Sequence, residues 1–312
     1  MIPFYLKKWY FDLINPEGDA LYFYFITARI AGFAQGLASA HLLRADGQEV
    51  RAIEKTPFAV ADAGGDLRLG RHAFSHRESR LEVRMEFRDL ALDVVYAPRL
   101  GPWWPTEGGV LLRERARVPK DLRWHVAVPA ARVEGVITAG GRKKDIAGDG
   151  YIDVVETDIP PWRLPLGELQ WGRAHFPEQT VVFNQIRTRQ GEFIRNLLLA
   201  KTIPASGLRR LPALDDQSFT LQADSYDAQT ALSRAGAFGL FLDRRRVIEE
   251  SPVVTSERFK LKSGRRFLKR LTGNPWEKKM VSQARLELDG KTMSGTALHE
   301  RVSWYWPEEG QP

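Results

Sequence analysis

The chain is 312 residues long with 43% hydrophobic residues, enough to bury one large core or two ordinary ones, and this length predicts two domains. It has no cysteine, which excludes disulfides, thiolate metal sites and a cysteine nucleophile, and makes a cytoplasmic address the default expectation. The formal charge of +7 falls within 161–312, in a single segment from Ser256 to Lys279, where Arg258, Lys260, Lys262, Arg265, Arg266, Lys269, Arg270, Lys278 and Lys279 meet only Glu257 and Glu277.

At the start of the chain, Met1 to Lys8 lacks the apolar core and small-residue cleavage site of a signal peptide, and no apolar run anywhere is long enough to span a bilayer, so a soluble protein is expected. Leu21 to Thr27 and Gln35 to Leu43 read as a strand pair. His72 and His76 have the spacing of a helical metal pair, but Arg71 to Ser79 reads as strand or turn and no third ligand is evident, so no metal site is expected. Leu81 to Arg88 alternates strictly, with every apolar residue on one face and every charge on the other, and turns through Arg88-Asp89 into Leu90 to Ala97. Trp103-Trp104, between Pro102 and Pro105, reads as an anchored loop or a lid. Val181 to Arg187 pairs with Phe193 to Leu199, and Ala284 to Leu288 turns at Asp289-Gly290. The one helix expected is short, Arg265 to Leu271, stopped by Gly273 and Pro275. With no alternation of strands and long helices and no glycine-rich phosphate loop, nucleotide-dependent chemistry is not expected. No Gly-x-Ser-x-Gly elbow supports a hydrolase. The fold class is all-β and antiparallel.

A faint internal echo bears on domain organisation. Trp9 leads to Pro16-Glu17 and Phe23-Tyr24-Phe25-Ile26, and Trp171 leads to Pro177-Glu178 and Phe183-Asn184-Gln185-Ile186, each interval one residue shorter. It predicts two related β-barrels, 1–160 and 161–312, joined at the proline-rich stretch Ile159 to Pro165.

The central segment carries the chemistry. It runs Trp124-His125-Val126-Ala127-Val128-Pro129, Val133-Glu134-Gly135-Val136-Ile137, Gly148-Asp149-Gly150-Tyr151-Ile152-Asp153 and Leu169-Gln170-Trp171-Gly172-Arg173. On a strand, Tyr151 and Asp153 point the same way and share whatever that face borders. These residues resemble the carotenoid 1,2-hydratase and AttH-like family, a lipocalin-like group to which fungal decalin-forming Diels-Alderases are related. Its pattern includes a Val-x-Gly step, Gly-x-Gly-Tyr-His-Asp-His-Asn-Trp-Gly, and Trp-x-Trp-Gly-Arg. The match rests on Trp124, Pro129, Val133, Gly135, Gly148, Gly150, Tyr151, Asp153, Trp171, Gly172 and Arg173, within about fifty residues. The resemblance implies two lipocalin-like, calycin-type barrels and a cavity for a hydrophobic small molecule. Where the family has His, His, Asn and Trp around its Asp, this chain has Ile152, Val154, Val155 and Glu156, and Leu122 stands where a hydratase carries His. The resemblance therefore implies the fold more firmly than it implies hydratase activity.

In hydratase-like members the corresponding Tyr and Asp are thought to protonate an isolated double bond. Asp153 and Tyr151 are accordingly the expected catalytic pair, with Trp124, Trp171, Arg173, His175 and Glu156 expected to bind substrate. Burial raises a carboxyl pKa and keeps it acidic near neutrality, and aromatic faces stabilise the cation that follows. No cofactor is required. The competing structural readings are an Asp153 clamped by a base such as Arg173, aromatic side chains that merely pack, and a solvated Glu156. The expected function is an enzyme acting by acid-initiated cyclisation, hydration or isomerisation, or by pericyclic cyclisation, on an isoprenoid or polyketide-like molecule. The alternative is a non-catalytic carrier of a lipid or pigment. Nucleic acid is not an expected partner, because no reading module accompanies the basic charge. The segment Arg258 to Lys279 reads either as a solvated hairpin and short helix or as a peripheral membrane contact.

Overall fold

The computed structural model describes residues 3–30, 32–57, 66–114, 117–202, 220–223, 229–234, 238–253 and 275–304. Among them the only helical element is a 3-10 turn at Glu107–Gly109, and the rest is antiparallel β-structure. The chain divides into two compact units whose boundary lies between Pro160 and Pro161.

The first unit contains β1 (Phe4–Ile14), β2 (Ala20–Ile30), β3 (Phe33–Leu43), β4 (Glu49–Pro57), β5 (Leu67–Leu69), β6 (His72–Arg77), β7 (Arg80–Glu86), β8 (Leu90–Pro98), β9 (Val110–Glu114), β10 (Lys120–Ala139) and β11 (Arg142–Thr157). They pair in the order β4-β3-β2-β1-β11-β10-β8-β7-β6-β5, with β9 on the far end of β10. The sheet curls until its ends meet: Glu54 on β4 lies 3.3 Å from Arg71 and 3.5 Å from His72. Its concave face is apolar and filled, with Phe11, Phe23, Phe25, Phe74 and Tyr96 in mutual contact and Phe11 stacked on Phe23 at 4.8 Å. Leu81, Val83 and Met85 of β7 enter this core while the intervening charges stay in water, as the alternation predicts.

The second unit contains β12 (Leu166–His175), β13 (Gln179–Thr188), β14 (Phe193–Lys201), β15 (Thr220–Ala223), β16 (Gln229–Arg234), β17 (Phe238–Pro252), β18 (Trp276–Leu288) and β19 (Lys291–Ser303). The order is β14-β13-β12-β19-β18-β17-β16-β15. In each unit the first strand lies between the second and the last, so β12, β13 and β19 repeat the placement of β1, β2 and β11. The Pro-Glu pairs of the sequence echo both fall in the turn after the first strand. The second apolar core gathers Val181, Phe183, Leu197, Leu240 and Leu286. The hairpin at Asp289-Gly290 has positive φ at both residues, 51° and 72°, the backbone of a tight two-residue β-turn.

Each sheet has a second face, opposite its apolar core, that is also buried but rich in polar groups. Asp12, Tyr22, His41, Tyr151 and Asp153 lie there on the first sheet, and Arg173, Thr180, Asn184 and Lys279 on the second. The expected helix Arg265 to Leu271 lies outside the described residues. So do Arg258 to Arg270 of the basic segment. Lys278 and Lys279 do not belong to an exposed basic patch: both are buried on β18, Lys279 bonded to Glu277 at 2.8 Å and to Glu300, and Lys278 3.7 Å from Glu250. No helix among the described residues is long and apolar enough to cross a membrane.

Candidate active site

β10 is long, and it bends where its proline lies. Its register against β11 shifts between Val126 and Val128 and again between Val128 and Ala131, around Pro129, which has no N–H to give a ladder. β9 covers β10 up to Arg123, and β8 covers it from Ala131. In the interval between them Val126 exchanges two backbone hydrogen bonds with Trp103, each 2.9 Å. Trp103 is thereby an anchored residue, its ring edge-on to Trp124 at 5.6 Å. Trp104, beside it, is exposed and stacks on His125 at 3.9 Å. Gly150 lets the neighbouring strands close up, because a Cβ there would meet Val133 Cγ2 at 2.4 Å and the Asp12 carbonyl oxygen at 2.7 Å.

Asp153 sits opposite Tyr10 on β1 and Val126 on β10, so its side chain shares a face with both. It is 5% exposed. Trp124 Nε1 donates to Asp153 Oδ2 at 3.1 Å, and the Tyr151 hydroxyl donates to the same oxygen at 3.0 Å. An indole N–H can only donate, so Oδ2 is held as an acceptor and the acidic proton of the neutral carboxyl belongs on Oδ1. Burial pushes the Asp153 pKa up to about 7, against the Trp124 hydrogen bond, the Lys8 charge and the Tyr151 hydrogen bond, while the nearby Asp12 charge adds to the rise. Desolvation outweighs the three opposing influences because both donors are neutral and no cation is ion-paired to the carboxyl among the described residues.

Around this carboxyl the rings form a chain. Tyr151 lies 6.2 Å from Tyr10, Tyr10 lies 5.3 Å from Tyr24, Tyr24 lies 5.8 Å from Tyr22, and Lys8 Nζ stands 4.4 Å above the Tyr24 ring. Sequence reasoning singled out Trp124, Tyr151 and Asp153, and the structure brings these three together. It missed Lys8, Tyr10, Asp12, Tyr22, Tyr24 and His41, which share their face. The signal was present in Leu21-Tyr22-Phe23-Tyr24-Phe25, where hydroxyl-bearing and bare rings alternate with the period of a strand and so mark a polar and an apolar side.

Glu156 is on the opposite face from Asp153, 3.7 Å from Lys7 and partly exposed. Trp171, Arg173 and His175 are on β12 of the second sheet, all buried, with His175 Nδ1 3.2 Å from Thr180 Oγ1. His72 is buried on β6 and its Nδ1 accepts from the Glu86 amide at 3.3 Å. Among the described residues no three His, Asp or Glu side chains group as metal ligands.

The fold defines the class: an all-β protein in which each unit is built on one antiparallel sheet. No family model matches the chain, and no curated protein matches it by sequence. Solved structures do. CghA in complex with Sch210972 superposes with a TM-score of 0.63 at 13% identity, covering 96% of this chain and 88% of its own. An AttH (NE1406) from Nitrosomonas europaea gives 0.62 at 18% identity, covering 96% and 92%. Kievitone hydratase from Nectria haematococca gives 0.63 at 12% identity, covering 96% and 89%. At these identities the likeness establishes the fold.

Proposed function

We propose that the chain is an enzyme that uses Asp153 as a general acid on a hydrophobic small molecule, with Tyr151 and Trp124 holding the carboxyl in its delivering orientation. The observation that carries this reading is a buried carboxyl, titrating near pH 7, whose Oδ2 is occupied by two neutral donors and whose Oδ1 is left to carry the proton. An acid works best when its pKa lies close to the operating pH, because it is then both protonated and willing to give the proton up. The O–H bond of Asp153 breaks, the π electrons of a carbon–carbon double bond take the proton, and a carbocation and a carboxylate remain. Faces of Trp124, Tyr151 and Tyr10 stabilise that cation by up to about 2 kcal/mol each in a dry site. Attack by water gives hydration, attack by a second double bond gives cyclisation, and loss of a neighbouring proton gives isomerisation.

The structural neighbours support the reading at the level of reaction type, since they include a hydratase and CghA, a Diels-Alderase. The likeness to CghA also favours a pericyclic version, in which the same face acts by shape and hydrogen bonding to hold a reactive conformer. A carrier with its ligand inside the first barrel is disfavoured, because Phe11, Phe23, Phe25 and Phe74 fill that interior.

Asp153→Asn separates these versions. Asparagine is nearly isosteric, and its side-chain oxygen can accept from Trp124 and Tyr151 as Oδ2 does. With the hydrophobe recovered from purified protein as substrate and D2O as solvent, the wild-type chain places one solvent deuterium on a product carbon, and Asp153→Asn forms no product. Product formation by a folded Asp153→Asn chain at the wild-type rate removes the acid from the mechanism, and turnover without deuterium incorporation supports the pericyclic version.

A further inference from the structure

We propose that Lys8 anchors a carboxylate of the substrate, so that the chain acts on hydrophobic acids rather than on neutral hydrocarbons. This names the substrate class of the acid proposed above and rests on that reading.

Strand register places the ammonium. On the Asp153 face one row across the sheet reads Val126, Asp153, Tyr10 and Tyr24, and the next reads Trp124, Val155, Lys8 and Ile26. Lys8 is thus the diagonal neighbour of Asp153, about 7–8 Å away. Burial falls off between the rows: Asp153, Tyr10 and Tyr24 are buried, whereas Val155, Lys8 and Ile26 are partly exposed. Leu6 and Ala28 come next on β1 and β2. Lys8 is therefore a single cation in an apolar collar, at the margin of the buried face and within reach of a ligand that lies over Asp153.

No protein carboxylate neutralises it. Lys8 Nζ lies 4.4 Å over the Tyr24 ring, and the residue takes no ion pair among the described residues. Its chain neighbour and the buried lysines of the second sheet do take them: Lys7 with Glu156, Lys278 with Glu250, and Lys279 with Glu277 and Glu300. An ammonium is strongly hydrated, and covering it with hydrocarbon is costly unless an anion replaces the water. One ammonium matches one carboxylate, whereas a dianionic phosphate would bring a second charge with no partner into the same collar.

A carboxylate on Lys8 also acts on the acid. The Lys8 charge pulls the Asp153 carboxyl toward its ionised form, and the Asp12 charge pushes the other way. Tyr10 and Tyr151 are the other titratable groups beside Asp153 on this face among the described residues. Neutralising Lys8 removes its pull and raises the Asp153 pKa by about 1 pH unit at this separation. A substrate that carries its own anion thereby draws a solvent proton onto Asp153 as it binds, and it quenches an ammonium that would otherwise repel the carbocation.

Calorimetric titration of the full chain with octanoate and with 1-octanol near pH 7 tests the anchor without turnover. Octanoate is expected to bind about tenfold more tightly than 1-octanol, with the preference lost in Lys8→Met and kept in Lys8→Arg. Lys8 is partly exposed, so neither change puts folding at risk. Titration in buffers of different ionisation enthalpy counts protons: uptake of about 0.4 proton per octanoate is expected in the wild-type chain and none in Asp153→Asn. Equal affinity for the two probes, no binding of octanoate, or a preference that survives in Lys8→Met overturns the proposal, and each leaves the acid reading standing because no proton is transferred to carbon. A Lys8-dependent preference without proton uptake upholds the anchor and counts instead against Asp153 as a group that titrates near pH 7.

Discussion

The two sheets solve the same burial problem with opposite chemistry. Both carry a polar face away from the apolar core, and both place carboxylates on it. In the second sheet the carboxylates are matched by a cation: Lys279, with no exposed surface, is bonded to Glu277 and Glu300. In the first sheet Asp153 receives only neutral donors, Trp124 and Tyr151. A carboxylate matched by a cation is inert as an acid, because it has no proton to give and taking one up would break the pairing. An unmatched carboxyl in the same degree of burial becomes a weak acid that holds its proton into the neutral range. Partner type, rather than depth, separates a structural ion cluster from a candidate catalytic acid.

Removing the cation of the second sheet should have the largest effect on stability. Lys279→Met strands Glu277 and Glu300 without their ammonium, and the expected loss is about 3–5 kcal/mol, read from urea unfolding. A loss below about 1 kcal/mol would mean that the cluster is not held by charge.

The comparison is sharpened by pH. Asp153 ionises near 7 in the folded chain and at its ordinary value of 3.8 when unfolded. Between those values the native state holds the extra proton, so stability from this group is complete below about pH 4, is lost as pH rises to about 7, and stays lost above it. A separation of about 3 pH units corresponds to roughly 4 kcal/mol. Asp153→Asn should therefore be more stable than the wild-type chain at pH 8 by up to that amount, with the two converging near pH 4. His299, on the apolar-core side of the second sheet and bonded to Ser282 at 2.7 Å, is pushed by burial from 6.5 down to about 4. Its slope has the opposite sign: stability is lost as pH falls from about 6.5 to about 4. Thermal unfolding of Asp153→Asn and His299→Gln beside the wild-type chain across pH 4–8 measures the two slopes, and slopes of the same sign would contradict the opposite effects of burial on the two groups.

The smallest effect is expected at Glu156. Its ion pair with Lys7 is partly exposed, and Glu156→Gln should change stability by no more than about 0.5 kcal/mol. Turnover should be unaffected, because the residue faces away from Asp153. A tenfold loss of turnover would place substrate on the other side of the sheet.

Much of the site could be read from the chain. Gly150, Tyr151 and Asp153 lie on one strand, and period-two geometry alone puts the phenol and the carboxyl on one side. Trp124 was legible as an aromatic residue on a nearby strand, although its bond to Asp153 depends on the register shifts around Pro129. Lys8, Asp12, Tyr22 and His41 were not found, because their relation to Asp153 is a matter of which strands are neighbours. β1 and β11 are separated by more than a hundred residues of chain and lie side by side. The basic segment shows the reverse error. Lys278 and Lys279 look like part of a cationic run, and only strand pairing reveals that Glu250, Glu277 and Glu300 meet them.

By itself the sequence determined the class of fold and the local direction of its side chains, since alternation, turn residues and the absence of helical periodicity follow from backbone geometry within a few residues. The tertiary structure decided which carboxyl group is buried with neutral donors alone. That property depends on dehydration and on the charge of atoms brought from distant strands, and neither exists until the sheet has closed.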